Sequence, residues 1–91
     1  MTQIAPTQIP GIANGYRLQF EKAQDIWVLL YPEGMVKLNP TASHILQRCD
    51  NKASVQEIVA QLEEVFETSG LSEDVQGFLA IAHEQHWITL R

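Results

Sequence analysis

The 91-residue chain has little that would cross-link it, anchor it in a membrane or direct it elsewhere. Its single cysteine, Cys49, excludes an intrachain disulfide and fits a reducing compartment. The longest unbroken apolar run, Ile26–Tyr31, has six residues, far fewer than the roughly 20 that a membrane-spanning helix needs. Residues 1–15 contain no basic residue and no apolar stretch of signal-peptide length. We therefore expect a cytoplasmic protein with no membrane association and one modest core.

Basic residues are scarce in the second half of the chain. Residues 54–91 hold seven acidic residues and one base, Arg91, and the whole chain has a formal charge of −5. Nucleic-acid binding draws much of its affinity from Lys and Arg side chains that neutralise phosphates. We therefore expect no nucleic acid among the partners.

The motifs of enzymes and metal sites are also missing. The five glycines fit neither a dinucleotide-binding nor a phosphate-loop pattern. His83 and His86 have a spacing that suits two metal ligands, but no CxxC or HExxH pattern accompanies them. Ser43, His44 and Asp50 have the residue types of a catalytic triad without a nucleophile elbow. We expect no catalytic residue, no metal and no cofactor; a small metal-assisted enzyme using the two histidines is an alternative.

The first half of the chain predicts an arm and three strands. Residues 1–14, rich in Thr, Gln and Pro without periodicity, predict a flexible arm ahead of a domain over residues 15–91. Alternating apolar and polar residues over Tyr16–Glu21 predict a strand with one solvated face. The apolar run Ile26–Tyr31 predicts a central strand that is covered on both faces. A tight turn then returns the chain as a third strand, Met35–Leu38.

The second half predicts three helices with apolar stripes at helical spacing. The Asn-Pro pair at 39–40 starts the first helix, and Ser54 with Glu57 forms a capping box for the second. Gly70 ends the second helix, and Ser72 caps the third. Three strands followed by three helices predict an α+β domain with a three-stranded antiparallel sheet and a winged-helix-like order of elements.

The third strand has no obvious neighbour on its outer side. An open strand edge is either blocked or used, and Lys37 is a residue type that blocks edges. The functional alternative is β-augmentation, in which an extended peptide pairs with the edge. An open edge and the arm at residues 1–14 would also permit a homodimer through strand pairing or segment exchange.

The sequence resembles the pyrroloquinoline quinone (PQQ) biosynthesis protein D family, PqqD, from about residue 10 to residue 90. The segments that carry the resemblance are Gly15–Leu18, Val28–Met35, Lys37–Ala42, Ile45-Leu46, Cys49-Asp50 and the apolar positions Val55, Ile58 and Leu62. The family usually has Asp-Gly after the first helix. This chain has Asp50-Asn51, which preserves the turn chemistry.

The resemblance implies a non-catalytic peptide chaperone with the fold of a recognition element for ribosomally synthesised and post-translationally modified peptides (RiPPs). Such proteins bind the precursor peptide PqqA by strand addition and present it to the radical S-adenosylmethionine enzyme PqqE. The peptide-binding residues that it implies in this chain are Met35, Val36, Lys37 and Leu38 on the third strand, and Val75, Leu79, Ala82 and His83 on the third helix. We expect proline at position 36 to weaken peptide binding while leaving helicity intact. A winged-helix DNA-binding regulator is the alternative that the order of elements leaves open.

Overall fold

A computed structural model describes residues 4–91 of the chain, which form five strands and three helices. In chain order they are β1 (Pro10–Ile12), β2 (Arg17–Glu21), β3 (Ile26–Tyr31), β4 (Gly34–Lys37), α1 (Pro40–Gln47), α2 (Val55–Val65), α3 (Ser72–Glu84) and β5 (Ile88–Leu90). The predicted α+β fold, a three-stranded antiparallel sheet with three helices after it, is confirmed. Within residues 4–91, none of the helices has the length and apolarity to cross a bilayer.

The main sheet has the strand order β2-β3-β4, and both pairs are antiparallel. Leu18, Leu29 and Val36 lie side by side in the register, and all three belong to or pack against the hydrophobic core. Val28 points to the opposite face of the sheet because successive side chains alternate along a strand. It is buried as well, although it lies outside the core cluster.

The first two helices begin where the cap signals predict. The side chain of Asn39 accepts a hydrogen bond from the Ala42 N–H at 2.8 Å, and Pro40 is the first helical residue of α1. Ser54 and Glu57 form the predicted capping box of α2. The Ser54 N–H donates to Glu57 Oε1 at 2.8 Å, and the Glu57 N–H donates to Ser54 Oγ at 3.3 Å. Both caps satisfy backbone donors that have no partner within their own helix.

The junction between α2 and α3 differs from the prediction. Gly70 does not end α2, which stops earlier and is followed by Glu67 in the left-handed conformation, with φ 51°. Ser72 does not cap α3; it is the first helical residue, and its side chain makes no cap hydrogen bond. The backbone N–H of Leu71 instead donates to Glu63 Oε2 on α2 at 3.0 Å. A contact between two helices thus holds the start of α3 where no side chain caps it.

The segment predicted as a flexible arm contains a strand over residues 10–12, which the sequence pattern did not predict. They form β1, which pairs antiparallel with β5 at the other end of the chain. Ile4 is part of the hydrophobic core, with 7 % of its surface exposed. Residues 1–3 of the arm lie outside the described residues, and the mobility of the segment stays a prediction.

The N-terminal segment also completes the cap of α2. The N–H groups of Val55 and Gln56 donate to the carbonyl oxygens of Gln8 and Pro6 at 2.9 and 3.0 Å. These are first-turn donors that the capping box does not reach. Gly11 allows the segment to pass close to the turn after α1, because a Cβ at this position would collide with the side chain of Asn51.

Candidate peptide-binding site

The outer edge of β4 carries backbone groups that point away from the sheet. In an antiparallel ladder, the N–H and C=O groups of successive residues point alternately to opposite sides of the strand. Leu38 donates to the Trp27 carbonyl at 3.0 Å, so Leu38 and Val36 direct their backbone groups towards β3. Met35 and Lys37 direct theirs outwards, and within residues 4–91 no strand pairs with them there. We call the outward groups of these two residues the β4 edge.

This register corrects the choice of position for a proline test. Val36 lies opposite Leu29, and its N–H belongs to the ladder inside the sheet. Proline at position 36 would therefore disrupt the protein's own sheet, and any loss of binding would have two causes. Proline at Met35 or Lys37 removes only an outward donor.

The predicted strand residues lie on two faces of the sheet. The side chains of Met35 and Lys37 are exposed, whereas Val36 is half-buried against the core and Leu38 is buried. Both kinds of position are useful for strand addition. The exposed residues would lie beside the side chains of an added peptide, and the buried ones hold β4 in place. Their contact with a peptide stays a prediction.

The predicted residues of α3 lie mostly in the core. Val75, Leu79 and Ala82 have 2 %, 0 % and 0 % of their surface exposed, and His83 is half-buried. Of the three core residues, Val75 also lines a surface cleft. Leu79 and Ala82 position α3 through their packing and show no surface on which a ligand would rest. Contact between these four residues and a peptide also stays a prediction.

The cleft that Val75 lines was not predicted from the sequence, and we call it the helical cleft. It has a volume of about 260 Å³ and opens where the start of α1, the end of α2 and the start of α3 meet. Its main lining residues are Ile45, Leu62, Phe66, Leu71, Asp74 and Val75. The helical stripes contain most of these residues, but periodicity does not predict a gap between three packed helices. Phe66, the residue directly after α2, is 45 % exposed and forms one side of the cleft.

The residues with triad chemistry do not form a triad. The Ser43 hydroxyl donates to the Pro40 carbonyl at 2.8 Å, within its own helix. Asp50 accepts hydrogen bonds from the N–H groups of Ala53 and Lys52, which hold the pKa of its exposed carboxyl below the ordinary value. Among the described residues, no hydrogen bond joins Ser43, His44 and Asp50 to one another.

The candidate metal ligands are equally scattered. Over residues 4–91, no group of three or more His, Cys, Asp or Glu side chains is arranged to hold a metal ion. Burial, together with the nearby charge of Asp50, raises the pKa of the Cys49 thiol to about 12. A neutral buried thiol is a poor nucleophile and a poor metal ligand.

The described geometry defines a small α+β domain with an open strand edge, the fold of a RiPP recognition element. A solution NMR structure of the PqqD truncation of Methylobacterium extorquens PqqCD, described as a functional and stand-alone RiPP recognition element, superposes with a TM-score of 0.79. The superposition covers 94 % of each chain at 23 % sequence identity.

Sequence comparison gives the particular family. The family model described as "Coenzyme PQQ synthesis protein D (PqqD)" matches residues 27–88. A protein named PqqA binding protein from Rahnella aquatilis is 48 % identical, with 100 % of this chain and 97 % of the relative covered. A protein of the same name from Pseudomonas aeruginosa (strain UCBPP-PA14) is 52 % identical, with 91 % of each chain covered. The chain belongs to the PqqD family, and the resemblance drawn from its sequence is confirmed.

Proposed function

We propose that this chain binds the precursor peptide PqqA by strand addition at the β4 edge and presents it to PqqE, without catalysing a reaction itself. The observation that carries the proposal is the family membership over nearly the whole chain, with relatives that are named PqqA binding protein. The open β4 edge supplies a place for the peptide, with two outward N–H and two outward C=O groups on Met35 and Lys37.

Charge supports a peptide over DNA as the ligand. Helix α3, which would be the recognition helix of a winged-helix DNA binder, has three acids and neither Lys nor Arg. Such a helix repels phosphate groups. The DNA-binding alternative therefore has no support beyond the order of elements.

Hydrogen exchange of individual amides tests the position of the peptide. On addition of synthetic PqqA, we expect the amides of Met35 and Lys37 to become protected. The outer edge of β2 provides the internal control, since the N–H groups of Leu18 and Phe20 point outwards there by the same alternation. If the amides of Leu18 and Phe20 became protected while those of Met35 and Lys37 did not, the peptide would lie on β2 and the proposed position on β4 would be wrong. No change in any amide, with no heat of binding, would reject PqqA as the ligand.

The presentation step needs a separate experiment. We expect PqqE to modify PqqA faster when this chain is present, because the bound peptide is held in one extended conformation. PqqE that modifies PqqA at the same rate with and without this chain would contradict the presentation role. Sedimentation with and without PqqA also tests for a homodimer, which would use the same edge and would dissociate as the peptide binds.

A further inference from the structure

The helical cleft has the size and lining of a site for one large apolar side chain. Its volume is about 260 Å³, and an apolar cavity of about 150 Å³ suffices to hold a benzene ring. Ile45, Leu62 and Val75 lie beneath the cleft and are almost fully buried, so an entering group would mainly contact the more exposed Phe66 and Leu71. Phe66 forms one open side, and its ring contacts His44 edge to face with centroids 4.9 Å apart. An apolar group that enters the cleft is removed from water at little cost in reorganisation.

The cleft lies within reach of a peptide on the β4 edge. Thr41, on its rim, follows Lys37 by four residues. Four residues span at most about 14 Å, so a bound peptide needs only about four further residues to cover the distance. A peptide that pairs with β4 and extends by that length would reach the rim of the cleft.

The charge around the cleft is negative. Asp74 is the one charged residue among those that line it. Glu63 lies beside it, because its carboxylate accepts the N–H of Leu71, another lining residue. Residues 54–90, which include α2 and α3, contain no Lys or Arg, and Arg48 at the end of α1 donates a side-chain N–H to the His44 carbonyl at 3.0 Å. A ligand that carries a cation next to its apolar group is therefore favoured over one that carries an anion.

We propose that the helical cleft is a second recognition site for the precursor peptide, which takes one large aliphatic or aromatic side chain whose neighbouring Lys or Arg meets Asp74. This inference rests on the proposed function and adds to it a side-chain requirement. Backbone pairing at the β4 edge accepts many sequences, whereas a pocket with a charged rim selects among them.

A pair of matched variants tests the charge requirement by calorimetric titration with synthetic PqqA. Asp74→Asn removes the charge on the rim, while Glu73→Gln removes an adjacent exposed charge in the same first turn that does not line the cleft. We expect Asp74→Asn to weaken binding about threefold to fivefold at low salt and less at moderate salt, and Glu73→Gln to change it less than about twofold.

A third variant and a spectrum of the unmodified protein test the pocket itself. Thr68→Trp places an indole at the rim to occupy the cleft, and we expect it to weaken PqqA about tenfold. In the wild-type protein, PqqA should shift the methyl NMR signals of Ile45, Leu62, Leu71 and Val75. This measurement does not depend on any variant folding correctly.

The outcomes separate this inference from the proposed function. If PqqA binds the wild-type protein but those methyl signals stay in place, the cleft is not a peptide site. If the Asp74→Asn and Glu73→Gln variants bound PqqA with equal affinity, the charge of Asp74 would not be part of the recognition. If PqqA does not bind the wild-type protein at all, the proposed function is wrong and this inference is wrong with it.

Discussion

Proline at Lys37 tests strand addition at a single backbone atom. The register gives Lys37 no hydrogen bond to β3, so proline there removes an outward N–H and leaves the ladder inside the sheet intact. A peptide carbonyl left buried without its donor costs about 1–3 kcal/mol. Because 1.4 kcal/mol corresponds to a factor of ten in affinity, we expect the Kd for PqqA to rise by at least about fivefold and at most about a hundredfold.

Lys37→Ala is the matched control, since it removes the ammonium group but keeps the N–H. We expect it to change the Kd less than about threefold, the effect of one exposed charge. Calorimetric titration gives both affinities, and circular dichroism with thermal melting confirms that the variants fold. Met35→Pro and Met35→Ala form a second pair with the same geometry. If proline and alanine give the same Kd at both positions, the peptide does not pair with β4 and the strand-addition argument is refuted.

Four further predictions concern stability and reactivity. Ile4→Ala should lower the free energy of unfolding in urea by about 2 kcal/mol, because Ile4 is in the core; a mobile arm would give no change. Gly77→Ala should raise it by about 0.5–1 kcal/mol, since a Cβ there meets nothing within 4 Å, and a fall would contradict this. The N–H and side chain of Ser54 lower the pKa of Glu57, so the stability they contribute is present above the unfolded-state pKa and is lost as pH falls through the lower folded-state value. Glu57→Gln should therefore reduce the loss of stability below about pH 4, measured by urea unfolding at two pH values. Cys49 should react with a thiol reagent at pH 8 only after unfolding, because its pKa is about 12; rapid labelling of the folded protein would contradict its burial.

The elements that the sequence predicted well depend on neighbouring residues. The cap of α1 at Asn39 and the capping box of α2 at Ser54 involve residues three positions apart, so both were readable as patterns. Ser72 is not a cap because α3 begins one residue earlier than the pattern predicts, and the N–H of Leu71 donates to Glu63, eight residues earlier on another helix. The strand β1 was missed because its partner β5 lies at the other end of the chain.

The same distinction explains which parts of the candidate site were predictable. The existence of an edge strand near Met35–Leu38 followed from the pattern of strands and from the family resemblance. Three of the four predicted contact residues on α3 lie on its buried face, and two of them, Leu79 and Ala82, are fully buried. A stripe marks the face that a helix buries, and that face is the one least available to a ligand.

The amino-acid pattern alone is enough to predict the three strands of the main sheet, the first residues of α1 and α2, the negative charge of the second half and the family. Helix caps and apolar periodicity involve residues a few positions apart, and charge follows from composition, so each can be recognised in the sequence. The folded chain is needed to see which backbone groups of β4 face outwards, where residues 4–12 lie and where three helix ends leave a cleft. Each of these depends on contacts between residues far apart in the chain, which no local pattern records.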